Sequence, residues 1–209
     1  MFRICWPASI AGTRSPNSRG VAMIRCLSRC VLLAVACSAA TAAVAQPGMF
    51  PVTEAHKQMA REAGVWSAEV KLWMGPDADP VSSKGQEKNE MLGDYWLVST
   101  FTGETVGQKF TGKSLLGYDP QSKKFVGTWC DTMTPYMTKM EGDYDVQKHA
   151  LTLIGEGRDP ATGEISKSKM VTTYIDENTK KFEMFGPAPG ADGQWWKMLE
   201  ISYKRTTDK

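Results

Sequence analysis

The chain has 209 residues, 42% of them hydrophobic, and its 7 Trp, 7 Phe and 6 Tyr are ample for a packed core, which excludes a disordered chain. Its 25 basic and 23 acidic side chains are unevenly placed: residues 1–45 carry five Arg (Arg3, Arg14, Arg19, Arg25, Arg29) and no acid, leaving 20 basic and 23 acidic residues beyond them, a net of −3. A body of that charge has no electrostatic footprint for nucleic acid or an anionic membrane, and no apolar run in it approaches the ~18–20 residues of a membrane-spanning helix.

Residues 23–45 read as a secretory signal peptide. Arg25 and Arg29 make a positive start, Val31 to Cys37 a short apolar stretch, and Ala43-Val44-Ala45 a small-x-small site with cleavage expected before Gln46. The stretch is too short for a membrane anchor. Residues 1–22 are an upstream extension, and Met23 makes a better start for a signal than Met1. The expected location is periplasmic or secreted. Cys37 follows Ala34-Val35-Ala36, and an Ala three residues before the Cys argues against lipidation, where Leu is usual. Cys5, Cys26, Cys30 and Cys37 all lie in this leader, so the processed chain keeps Cys130 and no internal disulfide. Beside Trp129, Cys130 reads as a small buried hydrophobe.

Residues 46–53 form a Pro/Gly linker, and 54–209 a single domain. A helix is expected from Thr53, as its cap, to Gly64, with His56, Met59, Ala60 and Ala63 on one face. Strands are expected at 65–73, 84–92, 95–102, 106–117, 124–130, 134–144, 149–157, 164–175, 181–186 and 194–205. Trp66, Ala68, Val70 and Leu72 alternate with Ser67, Glu69 and Lys71, the period of two of a half-buried strand. Ile165, Val171, Thr173 and Ile175 alternate with Ser166, Ser168, Met170 and Tyr174. One turn pattern recurs. Asp119, Asp145, Asp159 and Asp176 each open a loop of a few polar residues, where an Asp side chain accepts hydrogen bonds from backbone N–H groups just ahead. Loops this short make neighbouring strands antiparallel. The expected fold is all-β: an antiparallel, lipocalin-like meander barrel of about ten strands behind one short N-terminal helix, with a β-sandwich as the competing architecture. That strand number leaves room inside for a small ligand.

In order along the chain stand His56-x-x-Met59, Gly64-x-Trp66, Gly85, Leu92-Gly93, Phe110-x-Gly112, Gly117-Tyr118-Asp119, Trp129-x-Asp131, Gly142-x-Tyr144 and Asp159…Thr162-Gly163. Over nearly all of 54–205 the chain resembles the bacterial domain-of-unknown-function family 1579, of the lipocalin-like (calycin) group. The resemblance implies a β-barrel with a helix at one end and no established activity. A helix followed by Gly-x-Trp is similar to lipocalins and fatty-acid-binding proteins, in which that Trp plugs one end of the barrel; Trp66 holds the position here. Nitrobindin-like barrels bind haem through a His on a late strand. No His follows His149, which falls in an expected turn, so haem ligation is not implied.

Gly107-Gln-Lys-Phe-Thr-Gly112-Lys113-Ser114 matches the phosphate-loop pattern, but strand and turn residues follow it where a helix N-terminus is needed. It reads as a barrel strand. Two His, one of them in a turn, make no metal cluster, and His56 reads as a buried structural residue. No nucleophile–base–orienter set is present, so no catalytic residue, metal or cofactor is expected. Aromatic and Met side chains are spread over most strands, and adaptable Met with flat rings suits an apolar pocket. The pocket candidates are Trp66, Trp96, Phe110, Trp129, Met140, Met170, Tyr174, Trp196, Met198 and Glu200. Glu200 shares a phase with Trp196 and Met198, and Arg205 the opposite phase with Leu199 and Ile201; a regular strand turns only one of these inward. The loop 186–194 before Trp195-Trp196 reads either as a gate at the barrel mouth or as a partner contact. The expected function is binding of a small apolar or amphipathic ligand without catalysis. The alternatives are an envelope interaction module with a solid barrel and a weak hydrolase or isomerase.

Overall fold

The computed structural model describes residues 50–105, 107–160, 162–190 and 193–206. The expected leader, its cleavage site and the first part of the linker lie outside the described residues. A short helix, α1 (Glu54–Ala60), precedes ten strands: β1 (Gly64–Leu72), β2 (Val81–Leu92), β3 (Trp96–Thr105), β4 (Gln108–Asp119), β5 (Lys124–Asp131), β6 (Thr138–Asp145), β7 (Ala150–Arg158), β8 (Ile165–Tyr174), β9 (Thr179–Pro187) and β10 (Trp195–Arg205). Every strand pairs antiparallel with its neighbour in sequence. β1 also pairs with β10, Trp66 opposite Arg205 and Leu72 opposite Leu199, which closes the barrel. Closure removes the free edges that a ten-strand open meander exposes.

The short connections form as their aspartates require. Asp119 Oδ1 accepts the N–H of Gln121 at 2.8 Å, Asp145 Oδ1 those of Gln147 and Lys148 at 2.9 and 3.1 Å, Asp176 Oδ1 that of Asn178 at 2.7 Å, and Asp159 Oδ1 that of Thr162 at 2.9 Å. His149 lies in its turn at φ 48°, exposed. The phosphate-loop pattern begins at Gly107, a turn residue at φ 76°, and then runs up β4 as barrel strand.

The two ends of the barrel differ. The Asp119, Asp145 and Asp176 turns, α1 and the end of β10 share one end; the longer β1–β2, β5–β6 and β9–β10 connections share the other. The helix stops at Ala60, short of Gly64. Beyond it the backbone tightens into turns, and the Arg205 guanidinium takes the carbonyls of Arg61 and Ala63 at 2.6 and 2.5 Å, which spares those acceptors a further helical turn. At its start the Thr53 amide donates to His56 Nδ1 at 3.0 Å, and the Thr53 hydroxyl lies 2.8 Å from the same nitrogen. His56 is buried edge-on between Tyr95 and Tyr118, a structural role. Thr134 to Met137 are loop, not strand: Asp131 Oδ1 accepts the N–H of Met133 and Thr134 and ends the ladder there. Cys130 is exposed, not buried, because Trp129 takes the inward phase of β5 and leaves the next side chain to solvent.

Candidate functional site

Period two assigns each strand one inward face. On β1 it is Val70 and Leu72 in phase with the buried Trp66 and Ala68; on β10 it is Leu199, Ile201 and Tyr203. On β8 the inward face is Ser168, Met170, Thr172 and Tyr174, while Ile165 and Ile175 stand outside, each 63% exposed. The inner faces do not fill the barrel. They enclose a cavity of about 410 Å³, within the roughly 300–1,000 Å³ of small-molecule sites. Its wall is apolar: Met59 from α1, then Leu97, Phe101, Leu116, Phe125, Met140, Leu153, Met170, Phe182, Met184 and Ile201. Most of these belong to the buried core, so the same side chains hold the fold and form the chamber.

Polar groups gather at both ends of this wall. Away from the helix, the cavity meets Glu104, Thr105, Asp131, Thr138 and Ser168. Trp129 lies nearly parallel to Phe110, centroids 6.4 Å apart, and its Nε1 donates to Asp131 Oδ2 at 3.0 Å. Gly112 makes this possible, because a Cβ there would overlap the Trp129 ring.

At the helix end lies a buried charge cluster. The Lys180 ammonium donates to Glu62 Oε2 and to Glu87 Oε1, the latter at 2.8 Å. Tyr203 Oη donates to Glu87 Oε2 at 2.9 Å, and Asn89 Nδ2 to Glu87 Oε1 and the Glu62 carbonyl at 2.9 and 3.2 Å. Burial alone would raise the Glu87 pKa, but Lys180 and these donors outweigh it and hold the carboxyl below its ordinary range. Burial likewise disfavours the charged Lys180, yet Glu62 and Glu87 beside it push its pKa up. Burial first, and then the neighbouring carboxylates, push the hydroxyls of Tyr203 and Tyr174 well above their usual range. Trp66 seals this end: its Nε1 donates to the Glu62 carbonyl at 2.9 Å, and its ring centroid lies 4.6 Å from Lys180 Nζ and 4.1 Å from the Arg205 guanidinium.

Of the expected pocket residues, Phe110, Trp129, Met140, Met170 and Tyr174 line the cavity. Trp66 is the plug beneath it. Trp96 faces outward from β3 over Gly117, 39% exposed, since Leu97 takes the inward phase. Glu200 is also outside, bonded to Lys197 at 2.5 Å. Trp196 and Met198 are half-buried and line no part of the cavity. Leu199, Ile201 and Tyr203 take the inward phase of β10, so by alternation Trp196, Met198 and Glu200 fall outside it; the register with β9 also slips between Lys197 and Leu199, where the Met198 sulfur lies over Gly186. The cluster of Glu62, Glu87, Asn89 and Lys180 is not among the residues the sequence singles out. Its signal there is faint: Lys180 stands in phase with Phe182 and Met184, but it also closes the Asp176 turn. Among the described residues, no group of three or more His, Cys, Asp and Glu is placed to hold a metal ion.

Residues 52–205 match the model of a family described as "Protein of unknown function (DUF1579)". Among solved structures, the chain is similar to the crystal structure of Rv2717c from M. tuberculosis, with TM-score 0.57 and 14% identity over 75% of this chain and 99% of that one. It is also similar to the S-type phycobiliprotein lyase CPES from Guillardia theta, with TM-score 0.50 and 8% identity over 74% of this chain and 94% of that one. At such identities the likeness is one of fold, that of calycin-type barrels. Among curated proteins none matches the sequence.

Proposed function

Since the chain belongs to the DUF1579 family, whose activity is unknown, we propose its function from the barrel interior: it binds a small, largely apolar molecule inside the barrel, without catalysis. The observation that carries this reading is the cavity of about 410 Å³ walled by Met, Leu, Phe and Ile side chains. Methionine at Met59, Met140, Met170 and Met184 gives the wall a surface that adapts to the shape of its occupant. The serine hydroxyls on the wall, Ser99, Ser114 and Ser168, have no His or Cys among the other lining residues to activate them. The same reading places the protein outside the cytoplasm, supported by the pattern from Arg25 to Ala45.

Titration of the purified protein with a lipophilic dye, followed by Trp fluorescence, and native mass spectrometry after gentle purification test the binding. Saturable binding at one site per chain is expected, and its loss in Met170→Trp, whose indole occupies the chamber. Absence of saturable binding by the wild type, or full binding by the filled variant, refutes the reading. N-terminal sequencing of the protein made from the whole gene tests export: Gln46 is the expected first residue, and retention of residues 23–45 overturns it.

A further inference from the structure

Two acceptors at the helix end of the cavity have no hydrogen-bond partner: Glu62 Oε1 and Asn89 Oδ1. Both residues line the cavity, and both are buried, 6% and 2% exposed. Buried polar atoms in native proteins are met by the chain, by water or by a ligand. The Tyr174 hydroxyl is close enough to interact with the Glu62 carboxyl, but it stands outside hydrogen-bond geometry with Oε1. The amide of Asn89 is not free to turn, because its Nδ2 already serves two acceptors, the Glu62 carbonyl and Glu87 Oε1. Oδ1 is therefore the side it leaves without a donor.

The charges around these atoms are also unequal. Two carboxyl groups, Glu62 and Glu87, face one ammonium, Lys180, which bonds both. Glu87 is fully engaged, by Lys180 and Asn89 on one oxygen and Tyr203 on the other. Arg205 packs on the Trp66 ring and spends its donors on the carbonyls of Arg61, Ala63 and Glu177, and the Arg61 side chain is exposed. The floor thus offers acceptors and a surplus of negative charge beneath an apolar wall. An anionic head meets like charge there, and an alcohol supplies a single donor and no charge. A protonated amine supplies several donors and the missing positive charge together.

Building on the binding reading above, we propose that the occupant is a cationic amphiphile: an apolar body that fills the chamber and a protonated amine that docks on Glu62 Oε1 and Asn89 Oδ1. The site selects its ligand by the head group at the closed end, and the wall accepts the tail by shape.

Displacement of the bound dye by decylamine, decanol and decanoate, at neutral pH and equal salt, tests this. The three probes share a tail, so only the head differs. The amine is expected to displace dye at a concentration at least about tenfold below that of the alcohol, with decanoate weakest. In Glu62→Gln the advantage of the amine over the alcohol disappears. Equal potency of the three, a preference for decanoate, or an undiminished amine preference in E62Q overturns the head-group assignment while leaving the binding reading intact. If the dye binds saturably but no probe displaces it or is retained in native mass spectra, the head-group assignment falls and the binding reading stands; if the dye itself does not bind saturably, both fall. The wild-type series decides the matter even if E62Q does not fold.

Discussion

In two parts of this molecule one Lys bonds two Glu, and in the outer one Lys71 and Lys181 pair with the same carboxylates. Lys180 with Glu62 and Glu87 sits inside the barrel at the helix end, its side chain 5% exposed. Lys197 with Glu183 and Glu200 lies on the outer face of β9 and β10, at 3.4 and 2.5 Å, with its side chain 33% exposed. Water solvates and screens the outer triad, so its pairing is worth little. The inner one has its own members, Tyr203, Asn89 and the neighbouring Tyr174 to replace water, so loss of one partner strands the others. The same Lys–Glu pairing is therefore decoration in one place and structure in the other.

Removing the inner lysine breaks the comparison most sharply. Lys180→Met leaves two buried carboxyls without a cation and is expected to cost about 3–5 kcal/mol in urea unfolding. Gly112→Ala tests the far end of the cavity. Its Cβ displaces the Trp129 ring at a cost of about 1–3 kcal/mol, visible as a change in Trp emission and in dye affinity. The outer counterpart, Lys197→Met, is expected to shift stability by less than about 1 kcal/mol, and by less still at high salt. A loss from K197M equal to that from K180M would abolish the distinction.

Titration sharpens it further. The pKa of Glu87 is lowered on folding, so its contribution is present above the ordinary carboxyl value of 4.5 and is lost as pH falls through the folded value. Those of Lys180, Tyr174 and Tyr203 are raised, so their contributions are complete below the ordinary 10.5 and 10.0 and are lost as pH climbs past them. The urea midpoint is expected to hold between these limits and to fall on either side. Glu87→Gln flattens the acid limb, in high salt as in low. Glu200, also lowered, chiefly by its bond to Lys197, has a smaller effect that salt suppresses.

Much of the architecture is legible in the order of residues alone. The four aspartate turns mark hairpins, and hairpins between short strands force antiparallel neighbours. Trp66, Ala68, Val70 and Leu72 show their common face by alternation. The inward face of β8 is not legible in this way: Ile165 and Ile175 look like core residues, yet they end up in solvent, while Ser168 and Thr172 line the chamber. Hydropathy fails there because a cavity wall, unlike a packed core, accepts hydroxyls. On β10 alternation separates the two faces correctly but does not say which is interior: Trp196 and Met198 look like lining residues, yet Leu199, Ile201 and Tyr203 face the chamber.

Turns and strand alternation follow from interactions within a few residues, and these are written in local order along the chain. The closure of β1 on β10, the hollow interior and the meeting of Glu62, Glu87, Asn89 and Lys180 join residues as distant as Ser67 and Lys204, 137 positions apart, and Glu62 and Lys180, 118 apart. Only the completed barrel brings those groups together. Whether a charged side chain becomes a buried partner or a solvated ornament depends on what the fold places opposite it, which no local pattern encodes.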